Sequence, residues 1–214
     1  MYKRKDNLAR IIPNILKQAD VVHVNLIGYK NKAIPDVLRK GKVKVKHLDK
    51  AGSETRFLYY NDYKDAYYFT IDDDILYPSD YSEKMIKKMK EYNDKVVCTV
   101  HGTIPNFQKK KRIWDGRKSH PFQKGLIGDV RVIVAGVGTS CFNTSVVKIN
   151  MEDFTVPNIS DAFVCTFLHK QNIPVVCIAR KGGWLRALNE YGVHIWGTHP
   201  HDKIDEIIKE AFGL

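Results

Sequence analysis

Three adjacent aspartates, Asp72, Asp73 and Asp74, directly follow the apolar run AYYFTI (66–71) and precede Ile75, Leu76, Tyr77, Pro78, Ser79, Asp80 and Tyr81. Carboxylates this close repel one another unless a cation sits among them. Hard oxygen donors on a rigid edge suit Mn²⁺ or Mg²⁺, ions that usually also take phosphate oxygens of a substrate. The competing reading is an acidic loop that caps the next helix, because Ser79 or Asp80 with Glu83 has the spacing of a capping box. The capping role is given to Ser79 and Asp80, and metal binding to the triplet.

Such carboxylates need a strand to hold them. The run 66–71 is aromatic, β-branched and small, and it is bounded by charge and then proline, which predicts a buried strand in the middle of a sheet. The triplet then lies at the carboxyl end of that strand, the rim where ligands bind in open α/β sheets. Leu8, Ile11, Ile12, Ile15 and Leu16 fall at helical spacing behind Asp6, although Pro13 must kink that helix or lie near its start. Strands are predicted over 21–27 and 43–48, and a short helix over 54–60. A helix carrying Tyr81, Met85, Ile86, Met89 and Tyr92 follows the triplet, and strands follow at 96–100, 130–137 and 174–179. The stretch 103–128 reads as a long polar loop or lid with Trp114, His120 and Phe122. A turn at Gly136 to Thr139, a helix opening at Ser160 and Asp161, and a last helix capped by Asp202 complete an α/β alternation.

At 214 residues the chain can bury a substantial core, and with no linker in evidence it reads as one domain. Its 43% hydrophobic content and 23 aromatic residues exclude a disordered tail. No apolar stretch is long enough to span a bilayer and the N-terminus lacks a signal-peptide core, so a cytoplasmic protein without a transmembrane segment is expected. The last helix ends abruptly at Leu214, as in a piece of a longer polypeptide. Cys98, Cys141, Cys165 and Cys177 are far apart with no CxxC pair, which predicts buried reduced thiols. A net charge of +11 calls for an anionic partner. Lys42, Lys44 and Lys46 line one face of a strand, and 109–112 is a basic loop; either is more often a solvated surface than a binding site.

The combination of strand, aspartate triplet, tyrosine-proline turn and helix (YYFTIDDDILYPSDY) resembles the metal-dependent GT-A glycosyltransferases, in particular small bacterial and viral members. The resemblance extends over Arg4, residues 25–29, 52–57, His101 with Gly102, 136–139 and 158–161, in that order. It implies a GT-A, Rossmann-like nucleotide-binding single domain whose central sheet is mixed, mainly parallel and flanked by helices. The nucleotide-binding part would span about 1–100 and the acceptor-binding part about 101–214. It further implies transfer of a hexose or deoxyhexose from a UDP-sugar to a glycan acceptor, with Mn²⁺ bridging the diphosphate, in the synthesis of viral glycoprotein glycans.

On that comparison Asp72 and Asp74 contact the metal, and Asp73 contacts the ribose or holds the loop. His194 and His199 lead the C-terminal histidines that would complete the metal shell. Arg4, Asn25, Gly28, Tyr29, Arg56 and Gly138 belong to the nucleotide side, with Tyr29 stacking on uracil. Asp161 is the carboxylate that binds the acceptor hydroxyl and removes its proton; read alone, it is also a helix cap. His101 can reach a sugar or simply pack, and Trp114 and Trp184 are more often core than sugar platforms. The rival classes are a metal-dependent nuclease or phosphatase, and a basic nucleic-acid-binding module. The latter leaves the triplet unexplained, so no nucleic-acid partner is expected.

Overall fold

The computed structural model describes residues 5–29, 34–109, 112–188 and 201–214. Helix α1 (Lys5–Ile15) contains Pro13 and runs only two residues past it, as expected where a donor is missing from the ladder. Strands β1 (Val22–Ile27) and β2 (Val43–Leu48) pair in parallel, with Val22 opposite Val43. In β2 the lysines Lys44 and Lys46 are exposed and the valines half-buried, the period-2 alternation written in VKVKHL. Two 3₁₀ turns, Ser53–Phe57 and Tyr60–Asp62, stand where one short helix was expected.

Strand β3 (Tyr67–Ile71) leads through the triplet to β4 (Ile75–Leu76) and helix α2 (Tyr81–Glu91). Six strands then follow without an α-helix: β5 (Val97–Thr99), β6 (Gly102–Ile104), β7 (Lys118–His120), β8 (Val130–Val132), β9 (Val134–Ala135) and β10 (Thr139–Asn143). Helix α3 (Ser160–Lys170), β11 (Val175–Cys177), β12 (Arg186–Ala187) and helix α4 (His201–Ala211) complete the order.

The expected GT-A, Rossmann-like architecture with a mainly parallel central sheet is not what forms. The largest sheet has the order β3-β10-β5-β11-β8, and only β5 with β11 is parallel. Antiparallel pairs β4/β12 and β7/β6/β9 make two further small sheets, and β1/β2 stands as a separate parallel pair. The physical reason lies in the stretch from β5 to β10. Parallel neighbours need a crossover connection, and a run of strands without helices returns antiparallel. Two of those strands, β6 and β7, occupy part of the expected long loop. The expected strand 130–137 breaks into β8 and β9, which belong to different sheets.

β3 is also an edge of its sheet, not its middle, and only Thr70 in it is fully buried. The strand beside it, β10, is buried at every position. Asp80 sits at the N-cap position of α2, but its carboxylate makes no cap bond; it accepts from Lys84 Nζ at 2.6 Å and Trp184 Nε1 at 2.8 Å. Asp202 lies inside the first turn of α4, because that helix already begins at His201.

Tyr77, Tyr81, Met85 and Met89 pack with α1 and β1 in one hydrophobic cluster. Phe57, Tyr60 and Phe142 form the aromatic centre of a second, and α3 and α4 close over Trp114 in a third. All four cysteines are buried and free, and burial pushes the Cys98 and Cys165 thiols up to about 12. Among the described residues, no helix is long and apolar enough to cross a membrane.

Candidate functional site

The triplet is fastened from below. Asp72 donates its backbone N–H to Tyr77 Oη at 2.8 Å, and the Tyr77 hydroxyl donates to the Gly138 carbonyl. The tyrosine-proline turn therefore folds back so that a buried phenol joins the end of β3 to the turn before β10. That turn is closed by the Thr139 N–H on the Gly136 carbonyl at 2.9 Å. Buried hydroxyls support it: Thr139 and Ser140 both donate to the Gly136 carbonyl, at 3.0 and 3.1 Å, and Thr70 donates to the Val137 carbonyl. A Cβ on Gly138 would lie 1.9 Å from Asp72 Oδ2, so any side chain there would displace that carboxylate.

Arg56 arrives from the 3₁₀ turn Ser53–Phe57 and places Nη1 2.9 Å from Asp72 Oδ1. Its Nε donates to the Ser53 carbonyl at 2.8 Å, and its own carbonyl accepts from Tyr68 Oη at 2.7 Å. The turn is docked on the start of α3. Ser53 Oγ and Ser160 Oγ are 2.8 Å apart, the Ser53 N–H donates to Asn158 Oδ1 at 3.2 Å, and the Asn158 N–H donates to Glu54 Oε2 at 3.1 Å. Asn158 takes the left-handed φ of 65° that this reversal needs, a conformation asparagine tolerates. From β1, Asn25 Nδ2 donates to the Thr55 carbonyl at 2.8 Å.

Docking the turn on α3 brings Asp161 within electrostatic reach of Arg56. Asp161 accepts the Val137 N–H at 3.2 Å. Burial pushes its carboxyl up to about 6, against the pull of Arg56 and of the Val137 N–H, with the charge of Asp72 adding to the rise. A carboxylate with that affinity is ionised at neutral pH yet can accept a proton, as a general base must. His101 stands next to the same turn, where a Cβ on Gly136 would lie 2.8 Å from its own Cβ. Burial and the charge of Arg180 lower its basicity, so the ring is neutral; Asp72 acts the other way.

Arg56, Asp72, Gly138 and Asp161 thus converge on one rim, with Asn25 one hydrogen bond behind them. The other expected residues fall elsewhere. Gly28 is exposed, with a left-handed φ of 70°. Tyr29 is only 3% exposed and packs in the core instead of presenting its ring to a base. Asp73 and Asp74 are tied through their backbone carbonyls, to Asn7 Nδ2 at 2.8 Å and to the Leu188 N–H at 2.7 Å. Arg4, His194 and His199 lie outside the described residues. Trp114 is buried, and Trp184 packs on Tyr81 and Asp80. Tyr77 and the hydroxyls of Thr70, Thr139 and Ser140 were not expected at the site. The tyrosine before Pro78 was the available signal, and it was read only as part of a turn.

Asp72 Oδ2 makes no hydrogen bond among the described residues, so the carboxylate keeps an acceptor for a cation while Oδ1 faces Arg56. Hard oxygen donors of this kind fit Mn²⁺ or Mg²⁺. Among the described residues no three His, Cys, Asp or Glu side chains form a complete metal-binding group. No family model matches the chain, and no curated protein matches it.

Proposed function

We propose that the protein is a metal-dependent glycosyltransferase that moves a hexose or deoxyhexose from a UDP-sugar to a glycan acceptor. One observation carries the reading: Arg56 is paired with Asp72 at 2.9 Å and lies within electrostatic reach of Asp161, so one guanidinium and two carboxyl groups gather at one place. Such an arrangement offers a place for an anionic leaving group beside a base with an affinity near 6. Mn²⁺ or Mg²⁺, held by Asp72 with Asp74, would supply the charge that stabilises a departing diphosphate. Arg56, paired with Asp72, would hold that carboxylate in place and lend positive charge beside the phosphate oxygens. Asp161 would take the proton of the acceptor hydroxyl, and the Val137 N–H keeps its carboxylate oriented for that transfer.

The donor class and a product on a viral glycoprotein rest on the resemblance of the triplet and its flanks, not on the sheet, which departs from that family's pattern. Four reduced thiols support a reducing compartment, the cytoplasm of the cell or of a host. Calorimetry with UDP, ADP and GDP, each with and without Mn²⁺, tests the reading. UDP is expected to bind tightest and only with the ion; metal-indifferent binding or no base preference sinks the donor assignment. Nucleotide-sugars incubated with Mn²⁺ should release UDP slowly, whereas release of inorganic phosphate would favour the phosphatase class.

A further inference from the structure

Arg180 follows β11 and, among the described residues, is held by neutral acceptors. Its Nη1 donates to the Ile178 carbonyl at 2.9 Å and to Cys177 Sγ at 3.3 Å. Its Nη2 donates to the carbonyls of Pro121 at 2.8 Å and His120 at 3.2 Å, and its Nε is buried with no partner. Among the described residues it forms no ion pair. The acid just before β8, Asp129, is occupied by the Ala179 N–H at 2.7 Å, Lys88 Nζ at 3.0 Å and Tyr92 Oη at 3.1 Å. A guanidinium drawn partly out of water without a counter-charge is unfavourable unless something anionic joins it.

Two histidines stand beside it in the same condition. His120 Nε2 is buried without a partner, and the His101 ring makes no hydrogen bond among the described residues. The carbonyls that grip Arg180 belong to the segment leading into Phe122, whose ring lies 6.2 Å from that of His101. His101 in turn backs onto Gly136, in the turn that carries Gly138 against Asp72. The uncompensated charge is therefore linked by direct packing to the rim already described.

We propose that Arg180, with His101 and His120, forms an oxyanion subsite beside the Asp72 rim that takes a carboxylate or phosphoryl group of the substrate. The four Nη hydrogens of Arg180 are already bonded, so it contributes its positive charge and the Nε–H, and the two neutral imidazoles add ring N–H donors. The subsite needs no metal. That the oxyanion belongs to a glycosyl donor or acceptor, as a uronate carboxylate or a diphosphate oxygen, rests on the proposed function.

The test uses the full chain labelled with ¹⁵N-arginine, and assigns the Arg180 Nε–H resonance with Arg180→Lys. Inorganic phosphate and glucuronate are titrated separately, with glucose as the neutral control and neither nucleotide nor divalent ion present. The Arg180 resonance is expected to move saturably with an anion and not with glucose. Movement with phosphate alone assigns a phosphoryl ligand, and movement with glucuronate assigns a sugar carboxylate. A resonance unmoved by both anions overturns the subsite. Arg180→Gln removes four hydrogen bonds, two of them to the distant segment at His120 and Pro121, and can fail to fold, so the affinity of the responding anion is also measured in His101→Gln and Arg180→Lys. A loss of about tenfold is expected where one charge-assisted contact is weakened; unchanged affinity in both variants overturns the assignment. Because no arm contains UDP or Mn²⁺, failure of UDP binding leaves this result standing, and the reverse also holds.

Discussion

Arg56 lies between two carboxylates, 2.9 Å from Asp72 and close enough to Asp161 to shift its protonation, whereas Arg180 is ringed by carbonyl oxygens and a thiol. Both guanidiniums are half-buried and both are braced by backbone acceptors. The difference lies in where the charge goes. At Arg56 it is used inside the protein, where it offsets the repulsion between two neighbouring acids. At Arg180 the field falls on His101 and His120, which burial already keeps neutral and which it makes less basic still. A charge that is neutralised internally organises a site, and one that is not remains available to a ligand.

The largest expected break is at Asp161. Asp161→Asn should lower transfer or donor hydrolysis by about 10²- to 10⁴-fold, the usual worth of a general base, while leaving UDP affinity nearly unchanged. Wild-type kcat/KM should fall as pH drops below about 6, where the base protonates. The effect on stability runs the other way. The folded-state value of about 6 lies above the ordinary 3.8, so the folded chain holds the proton more tightly. The contribution favours the fold at low pH and is lost as pH rises through about 6. Asp161→Asn should therefore gain about 1–2 kcal/mol at pH 7 by urea unfolding. A loss of stability there would mean that the carboxylate is a structural anchor and not a held-back base.

Next in size is Gly138→Ala. The new methyl cannot coexist with Asp72 Oδ2 at 1.9 Å, so the carboxylate or the turn must move. A displacement of that order costs roughly 10²-fold in a positioned reaction. Metal-dependent nucleotide binding should weaken with it, and wild-type calorimetry from Gly138→Ala would dissociate Asp72 from the site.

A smaller effect separates the two arginines directly. Removing the guanidinium in Arg56→Gln should raise the acid limb of the pH–rate profile from about 6 by roughly one unit, because the group holding Asp161 down is gone. The same change at Arg180 should leave that limb where it is, since Arg180 is not among the groups acting on Asp161. Equal shifts in both variants would erase the distinction between an internally neutralised and an available charge.

Much of the site was legible, and less of the fold. Asp72, Gly138 and Asp161 stand at a strand end, in a glycine turn and at a helix start, which are local signals, whereas Arg56 was singled out through the resemblance. The lysine face of β2 and the buried cysteines were equally local. Strand β10 was not legible: TSCFN is short, polar at both ends and buried by its neighbours, so no apolar run marks it. With β10 unmarked between β3 and β5, no local signal opposed the mainly parallel sheet that the resemblance implied. The clasp from Tyr77 to Gly138 spans 61 residues, and the gathering of Arg180 with the carbonyls of His120 and Pro121 spans about 60. Pairing at that distance is set by the completed fold and leaves no spacing to read.

The smallest effect tests whether Arg56 depends on its platform. Ser53 and Ser160 share one hydroxyl contact at 2.8 Å, and it joins the turn bearing Arg56 to the helix bearing Asp161. Ser53→Ala removes one partner, but the Ser53 N–H still bonds Asn158 and the Asn158 N–H still bonds Glu54. The loss should be about 1 kcal/mol, or some 2–4 °C in Tm for a chain of this size. Because Arg56 Nε is held by the Ser53 carbonyl, a looser turn should let the guanidinium wander from Asp72, and kcat/KM should fall by a few fold with the acid limb moving slightly upward. The response of Arg180 to phosphate or glucuronate should not change, since no bond of its cluster involves the Ser53–Phe57 turn. A variant that lost both properties together would show that the two arginines share a single support, and their contrast would then reflect the mechanics of one scaffold instead of two separate uses of charge.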